Sequence, residues 1–301
     1  MPWDKLCWIH GKHARQIMPA NKEQLFPRNR IERAASRLGT GPIIVAVLIL
    51  AWEVIVHVLE IWSSAFPAPS RVLLEIWRNA SQLQSHATTT GLASLAGLLL
   101  AMISAFPLSA LAVRFLRARR ILTPAISLLQ KIPLIALAPL VVIWFGFGFP
   151  PAAAISALVC FLPFFIYLQA GFNSIPVEIG EILQTMGASP FRVFSKVHVP
   201  ACLPFASGAV KTAIPLALAG ATVTEFVGSD KGLGYLMFNA GSKADSTLLF
   251  AALTVLVLMA LAAHGIISLI ERLWITWPAA PFRSDVDGQS SAGEPSRSRR
   301  E

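Results

Sequence analysis

An all-α polytopic membrane protein, with six transmembrane helices and a bent polar insert on the cytoplasmic side, is predicted by three observations. Of the 301 residues, 55% are hydrophobic and only 14% charged, and the mean hydropathy is +0.63. Soluble domains rarely have this composition. Apolar runs long enough to cross about 30 Å of hydrocarbon recur along the chain. Arginine and lysine gather in alternate connections, as the positive-inside rule requires of a multi-pass chain. The same rule accounts for the net charge of +9, which on a soluble chain would suggest nucleic acid. No nucleic-acid partner is expected, and Cys7, Cys160 and Cys202 form neither a pairing framework nor a metal spacing.

Residues 1–41 carry Lys5, Lys12, Arg15, Lys22, Arg28, Arg30, Arg33 and Arg37. They are expected to form a cytoplasmic, partly disordered tail, without the short apolar run and small-residue cleavage site of a signal peptide. The first span is placed at 42–62. Its Glu53, His57 and Glu60 recur at helical spacing and share one face. An acid at the bilayer centre costs about 2.5–3.5 kcal/mol, so these three form either a proton relay or a satisfied polar stripe near the external end.

A loop with Pro67 and Pro69 leads to an amphipathic segment, 71–83, and to the second span, 89–113. Gly91, Ala93, Ser94, Gly97, Ala101 and Ser104 permit close helix packing there. Arg114, Arg117, Arg119 and Arg120 then mark a cytoplasmic connection. The third span, 128–147, contains Pro133 and Pro139. Prolines free backbone carbonyls, which neighbours can satisfy or which can line a water-filled path. An uncharged turn at 149–151 suits an external loop and opens the fourth span, 152–171, kinked at Pro163.

The polar insert is 176–200. A first short helix is expected from Val177 to Met186. Gly187 stands where a left-handed residue is wanted, Ser189 offers an N-cap hydroxyl, and Pro190 fits the first helical position. A second helix is expected to run to Val197 and to be stopped by Pro200. Arg192 and Lys196 put the insert on the cytoplasmic side. The fifth span, 203–226, holds Lys211 towards its inner end, Pro215 within it and Glu225 near its outer end. Gly228, Gly232 and Gly234 then suggest a tight external re-entrant turn. The sixth span is 247–270, after which Glu271, Arg272, Trp274 and Trp277 mark the inner interface. Residues 278–301, rich in Ser, Gly, Pro and Arg, are expected to be a disordered cytoplasmic tail.

The insert resembles a known signature. Glu181-Ile182-Leu183, then Gly187, then Val197-His198-Val199-Pro200 follow the spacing of the EAA loop of bacterial ABC-importer permeases. That loop reads E-A-A, three spacers, G, nine spacers, I-x-L-P. Glu181, Gly187 and Pro200 match in identity, whereas Ile182 and Leu183 stand for the two alanines. The stretches QKIPLIALAPLVVIWFGFG and VTEFVGSDKGLGYL resemble the nitrate/sulfonate/taurine branch, and the likeness covers roughly 65–278.

The resemblance implies a permease in the bacterial inner membrane, multi-pass, with both termini cytoplasmic. It implies that the insert docks on a cytoplasmic ABC ATPase dimer through Glu181, Gly187, Ala188, Ser189, Pro190, Phe191, Val197 and Pro200. A second permease copy, forming a homodimer, and a periplasmic substrate-binding protein complete the expected assembly. The chain itself is expected to bind no cofactor and to catalyse no reaction; ATP and Mg belong to the partner. It has no G-x-x-x-x-G-K-[ST] phosphate loop. Pro133, Pro139, Trp144, Pro163, Pro215 and Glu225 are candidates for the substrate path or its gate. For the prolines the alternative is plain kinking; for Glu225 it is an interfacial carboxylate.

The implied cargo is a small solute: a nitrate-, sulfonate- or taurine-like anion, or a heterocycle of the thiamine-precursor kind. GATVTEFVGSDKGLGYL leans towards the heterocycle members by resemblance, and no intramembrane Arg or Lys cluster marks an anion site. A secondary transporter working without an ATPase is the alternative; it would need midplane ionisable groups and an internal repeat. A membrane-embedded enzyme would need histidines clustered with carboxylates, and the six histidines are scattered.

Overall fold

The computed structural model describes residues 29–58, 66–129 and 131–274. The tail up to residue 28, Glu60 and Trp62 of the first span, Trp277 and the tail 278–301 lie outside the described residues. Every regular element among the described residues is helical. In chain order these are α1 (Asn29–Val58), α2 (Pro69–Arg78), α3 (Ala80–Arg114), α4 (Leu116–Leu129), α5 (Leu134–Phe145), α6 (Phe149–Phe172), α7 (Val177–Thr185) and α8 (Pro190–Val193). A π-helical turn (Phe194–His198) follows, then α9 (Val199–Gly228), α10 (Leu233–Ser242) and α11 (Ser246–Trp274). Four helical runs are long and apolar enough to cross a membrane: Ala80–Arg114, Phe149–Phe172, Pro190–Gly228 and Ser246–Trp274. Ile43–Val58 and Ala136–Phe145 are shorter apolar helices.

The chain divides into two units, residues 1–60 and 61–301. In the first, α1 starts at Asn29, well before the apolar run. The Nδ1 of His57 lies 3.0 Å from the Glu53 carbonyl oxygen and 3.6 Å from its carboxylate. That is a local i,i+4 contact, the geometry of a polar stripe.

In the second unit α3, α6 and α9 form the packed centre. Lipid tails are as apolar as leucine, so close fit and interhelical hydrogen bonds must hold such helices together. The small residues of α3 supply the fit: Ala93, Ser94, Gly97 and Ala101 are buried. A Cβ on Gly97 would stand 2.4 Å from Ser156 Cβ and 2.7 Å from the Ala153 carbonyl oxygen. Hydroxyls supply the bonds. Ser156 Oγ donates to the Ala217 carbonyl at 2.8 Å, joining α6 to α9, and Ser109 Oγ donates to the Phe165 carbonyl at 3.3 Å, joining α3 to α6. Phe164, Phe165, Leu168 and Phe172 fill the layer between them.

Several boundaries differ from the sequence expectation. The helix that carries the expected second span, 89–113, begins already at Ala80, because α2 hands over to it at Asn79, whose N–H still bonds the Glu75 carbonyl. The third apolar segment is only Leu134–Phe145. Its start follows Pro133, and Gly146 (φ +79°) and Gly148 (φ +96°) end it in a conformation that opposes helix. The supposed turn at 149–151 is the first turn of α6, where Pro150 and Pro151 cost no hydrogen bond. The arginine cluster leads into a helix of its own, α4. Pro200 does not stop the second helix of the insert: the helical run continues from Pro190 to Gly228. A proline ring clashes with the carbonyl four residues back. Here the preceding turn widens to π register, with the Val199 N–H bonded to the Phe194 carbonyl five residues back, and this makes room for the ring.

Candidate functional site

The insert folds as a capped corner. Gly187 takes φ +85° after the last turn of α7. A Cβ there would meet nothing within 4 Å, so backbone conformation, not space, demands glycine. The Ala188 N–H then reaches back to the Leu183 carbonyl at 3.0 Å, the six-to-one bond of a Schellman cap. Ser189 turns the chain (φ −65°, ψ 148°), and its Oγ accepts the Arg192 N–H at 3.4 Å while Pro190 opens α8. Each of the two helix ends at the corner thus carries a cap from within the insert.

Its apolar side chains are not covered. Met186 and Phe191 are 78% and 79% exposed, and Ile182 is exposed beside them. Below the corner the chain is anchored. Val193 is buried, and the Phe194 ring stacks between Phe172 (5.6 Å between centroids) and His198 (6.4 Å). His198 Nδ1 donates to the Phe172 carbonyl at 3.3 Å. Val197 and Pro200 are half-buried at this junction. The side chain of Glu181 lies outside the described residues.

A second constellation sits at the other end of α9. Glu225, expected near the outer end of its span, is only 2% exposed. Thr90 Oγ1 of α3 donates to its carboxylate, 2.8 and 2.9 Å from the two oxygens, and the Gly234 N–H donates to Oε2 at 2.8 Å. Thr90 Oγ1 also accepts the Leu233 N–H at 2.8 Å, and His86 Nδ1 accepts the Gly232 N–H at 3.0 Å. Three consecutive backbone donors at the start of α10, which no helical carbonyl can serve, are thus met by side chains of α3 and α9. His86 accepts through Nδ1, so its ring proton sits on Nε2. The glycines are explained by proximity: a Cβ on Gly232 (φ +109°) would stand 2.2 Å from Glu225 Cδ, and one on Gly234 2.5 Å from the Thr222 carbonyl oxygen.

The other path candidates do not join this network. Pro133 and Pro139 are exposed at the start and middle of α5, and Trp144 is exposed near its end. Pro163 is half-buried in α6 and Pro215 exposed in α9. None is a hydrogen-bond partner of Glu225. Sequence reasoning missed Thr90, His86 and α10. His86 and Thr90 lie four apart and so share a helix face, which was the available signal. It also missed the ion pair of Lys211 in α9 with Glu271 in α11, which no local pattern announces. Among the described residues, no group of three or more His, Cys, Asp or Glu could hold a metal ion.

Comparison with known proteins gives concordant likenesses. The profile of the family described as "Binding-protein-dependent transport system inner membrane component" matches residues 97–275. A probable ABC transporter permease protein of Haemophilus influenzae is 36% identical over 230 residues, 76% of this chain and 93% of the relative. The riboflavin transport system permease protein RibX of Chloroflexus aurantiacus is 33% identical, covering 79% of this chain and 90% of the relative. The formylaminopyrimidine transport permease protein ThiX of Halalkalibacterium halodurans is 29% identical, covering 77% and 92%. Among solved structures, a chain of the inward-facing MetNI methionine ABC transporter superposes with a TM-score of 0.55 at 17% identity, over 69% of this chain and 97% of that one. At that identity the likeness is one of fold.

Proposed function

Because the chain belongs to the family of inner membrane components of binding-protein-dependent transport systems and is an ABC transporter permease, we propose that it forms the path by which a small heterocyclic solute enters the cell. A separate ATPase drives the movement. The observation that carries this reading is the corner at Gly187 to Phe191, capped from within, apolar on its exposed edge, and continuous with α9.

In this reading Met186 and Phe191, with Glu181, Ala188, Ser189 and Pro190 shaping the surface around them, seat in a groove of a cytoplasmic ATPase dimer that holds ATP and Mg. Six apolar segments cross the inner membrane: the apolar part of α1, then α3, α5, α6, α9 and α11. Both termini are cytoplasmic, by the alternation of basic connections. A second copy of the chain completes the path and an external binding protein delivers the solute. The permease makes and breaks no covalent bond; it contributes different contacts in two states of the ATPase.

The substrate class rests on two supports. Relatives at 33% and 29% identity carry the names of riboflavin and formylaminopyrimidine transport. Lys211, the cation within α9, is paired with Glu271 and is not free to receive an anion. The alternative of a secondary transporter finds no support in the relatives.

The test is uptake into proteoliposomes containing the chain, its ATPase and its binding protein. ATP-dependent uptake of riboflavin or formylaminopyrimidine is the expected result. Uptake of taurine or an alkanesulfonate alone would replace the heterocycle with an anion. Uptake that continues without ATP would overturn the ATPase-driven mechanism.

A further inference from the structure

A short helix behind a glycine-rich turn, near the end of a transport path, invites reading as a moving gate. The contacts of α10 argue otherwise. Its first three backbone donors are held by two different helices, His86 and Thr90 of α3 and Glu225 of α9. Thr90 both accepts from Leu233 and donates to Glu225, so the bonds form a closed chain in which each group satisfies the next. Breaking one link leaves buried polar atoms without partners, and that costs more than the bond itself gains. The carboxylate also lies at the positive end of the ten-residue α10.

Beneath the cap, Leu233 and Leu236 are buried in a cluster with Val72, Leu83, Ala251 and Ala252. The absent Cβ atoms of Gly232 and Gly234 allow a backbone approach to Glu225 that any larger residue would block. Segments that swing have few buried contacts and exposed backbone hydrogen bonds; α10 has the reverse.

We infer that Glu225, Thr90 and His86 are positioning residues whose cap keeps α10 fixed to α3 and α9 throughout the transport cycle, so that α10 is a stationary wall of the extracytoplasmic mouth. This rests on the importer reading above. Opening at that end must then take place between this block and other segments, not by displacement of α10.

The experiment uses the full chain assembled with its ATPase in proteoliposomes, with native cysteines replaced. Spin labels are placed at Ile103→Cys in α3 and Phe238→Cys in α10, both exposed positions outside the cap, and labelled chain is diluted into unlabelled chain. The interlabel distance is measured without nucleotide and after trapping with ATP and vanadate. The expected change is no more than the about 1–2 Å of ordinary helix slip. A shift near one helical turn, about 5 Å, overturns the inference. A second arm needs no nucleotide. Thr90→Val should broaden the distance distribution, and Thr90→Ser, which keeps the hydroxyl, should restore it. A Thr90→Val distribution as narrow as wild type also overturns the inference. Failure of the unmodified complex to hydrolyse ATP or to take up solute counts against the importer reading alone, because the Thr90 arm is read independently of it.

Discussion

Lys211 in α9 and Glu271 in α11 form an ion pair that joins the helix running up from the corner to the last of the described helices. Their side chains are 26% and 31% exposed, and a pair that is only partly enclosed in this way contributes about 0.2–1 kcal/mol. Its value is in register, as a fixed point of contact between α9 and α11. Lys211→Glu should lower ATP-driven uptake several-fold with the protein still inserted, and the exchange Lys211→Glu with Glu271→Lys should recover most of it. Uptake assays on the single and double variants decide this. A double variant no better than Lys211→Glu alone would dismiss the tie.

Gly187 is required for its positive φ, with open space around it. A side chain in that conformation costs about 1–2 kcal/mol, less for asparagine. Gly187→Val should therefore cut solute moved per ATP hydrolysed much more than Gly187→Asn. If the two behaved alike, steric fit to the partner rather than backbone conformation would be the constraint.

Two glycine-to-alanine changes should have opposite signs. At Gly234 the new Cβ would stand 2.5 Å from a carbonyl oxygen and 2.8 Å from Glu225 Cβ. Overpacking of this kind costs about 1–3 kcal/mol. At Gly265, inside α11, a Cβ would meet nothing within 4 Å. Alanine there should be neutral or stabilising by up to about 1 kcal/mol. Thermal unfolding of the detergent-purified protein measures both; a Gly234→Ala melting temperature equal to wild type would refute the close approach.

Pro200 explains the π turn before it. Pro200→Ala removes the ring and lets that turn close to α register. One residue fewer per turn rotates the corner by about 100° relative to α9. The variant should insert normally and hydrolyse ATP with little uptake. Cross-links from Phe191→Cys to the ATPase should also change partners; unchanged cross-links would show that the π turn persists without the proline.

Much of this was readable in the sequence where a residue acts through its own backbone. Gly187, Ser189 and Pro190 are local devices, and the corner has the expected shape. The small residues of α3 announced close packing, and Gly97 against Ser156 delivers it. Features that depend on which helices become neighbours were not readable. The polar setting of Glu225 comes from Thr90, 135 positions away in sequence. Pro200 misled for a related reason: a proline's local preference is to end a helix, and a widened turn overrode it. The glycine-rich stretch showed a turn but concealed α10, because Gly232 and Gly234 are there for contact with a distant carboxylate.

The unbroken run Pro190–Gly228 has 39 residues, a strut of about 58 Å. Its foot lies in the capped corner at Gly187 to Phe191, and its head carries the Glu225 carboxylate that holds the start of α10. The capped corner and the carboxylate that holds the start of α10 are thus parts of a single run of backbone, with no packing interface between them.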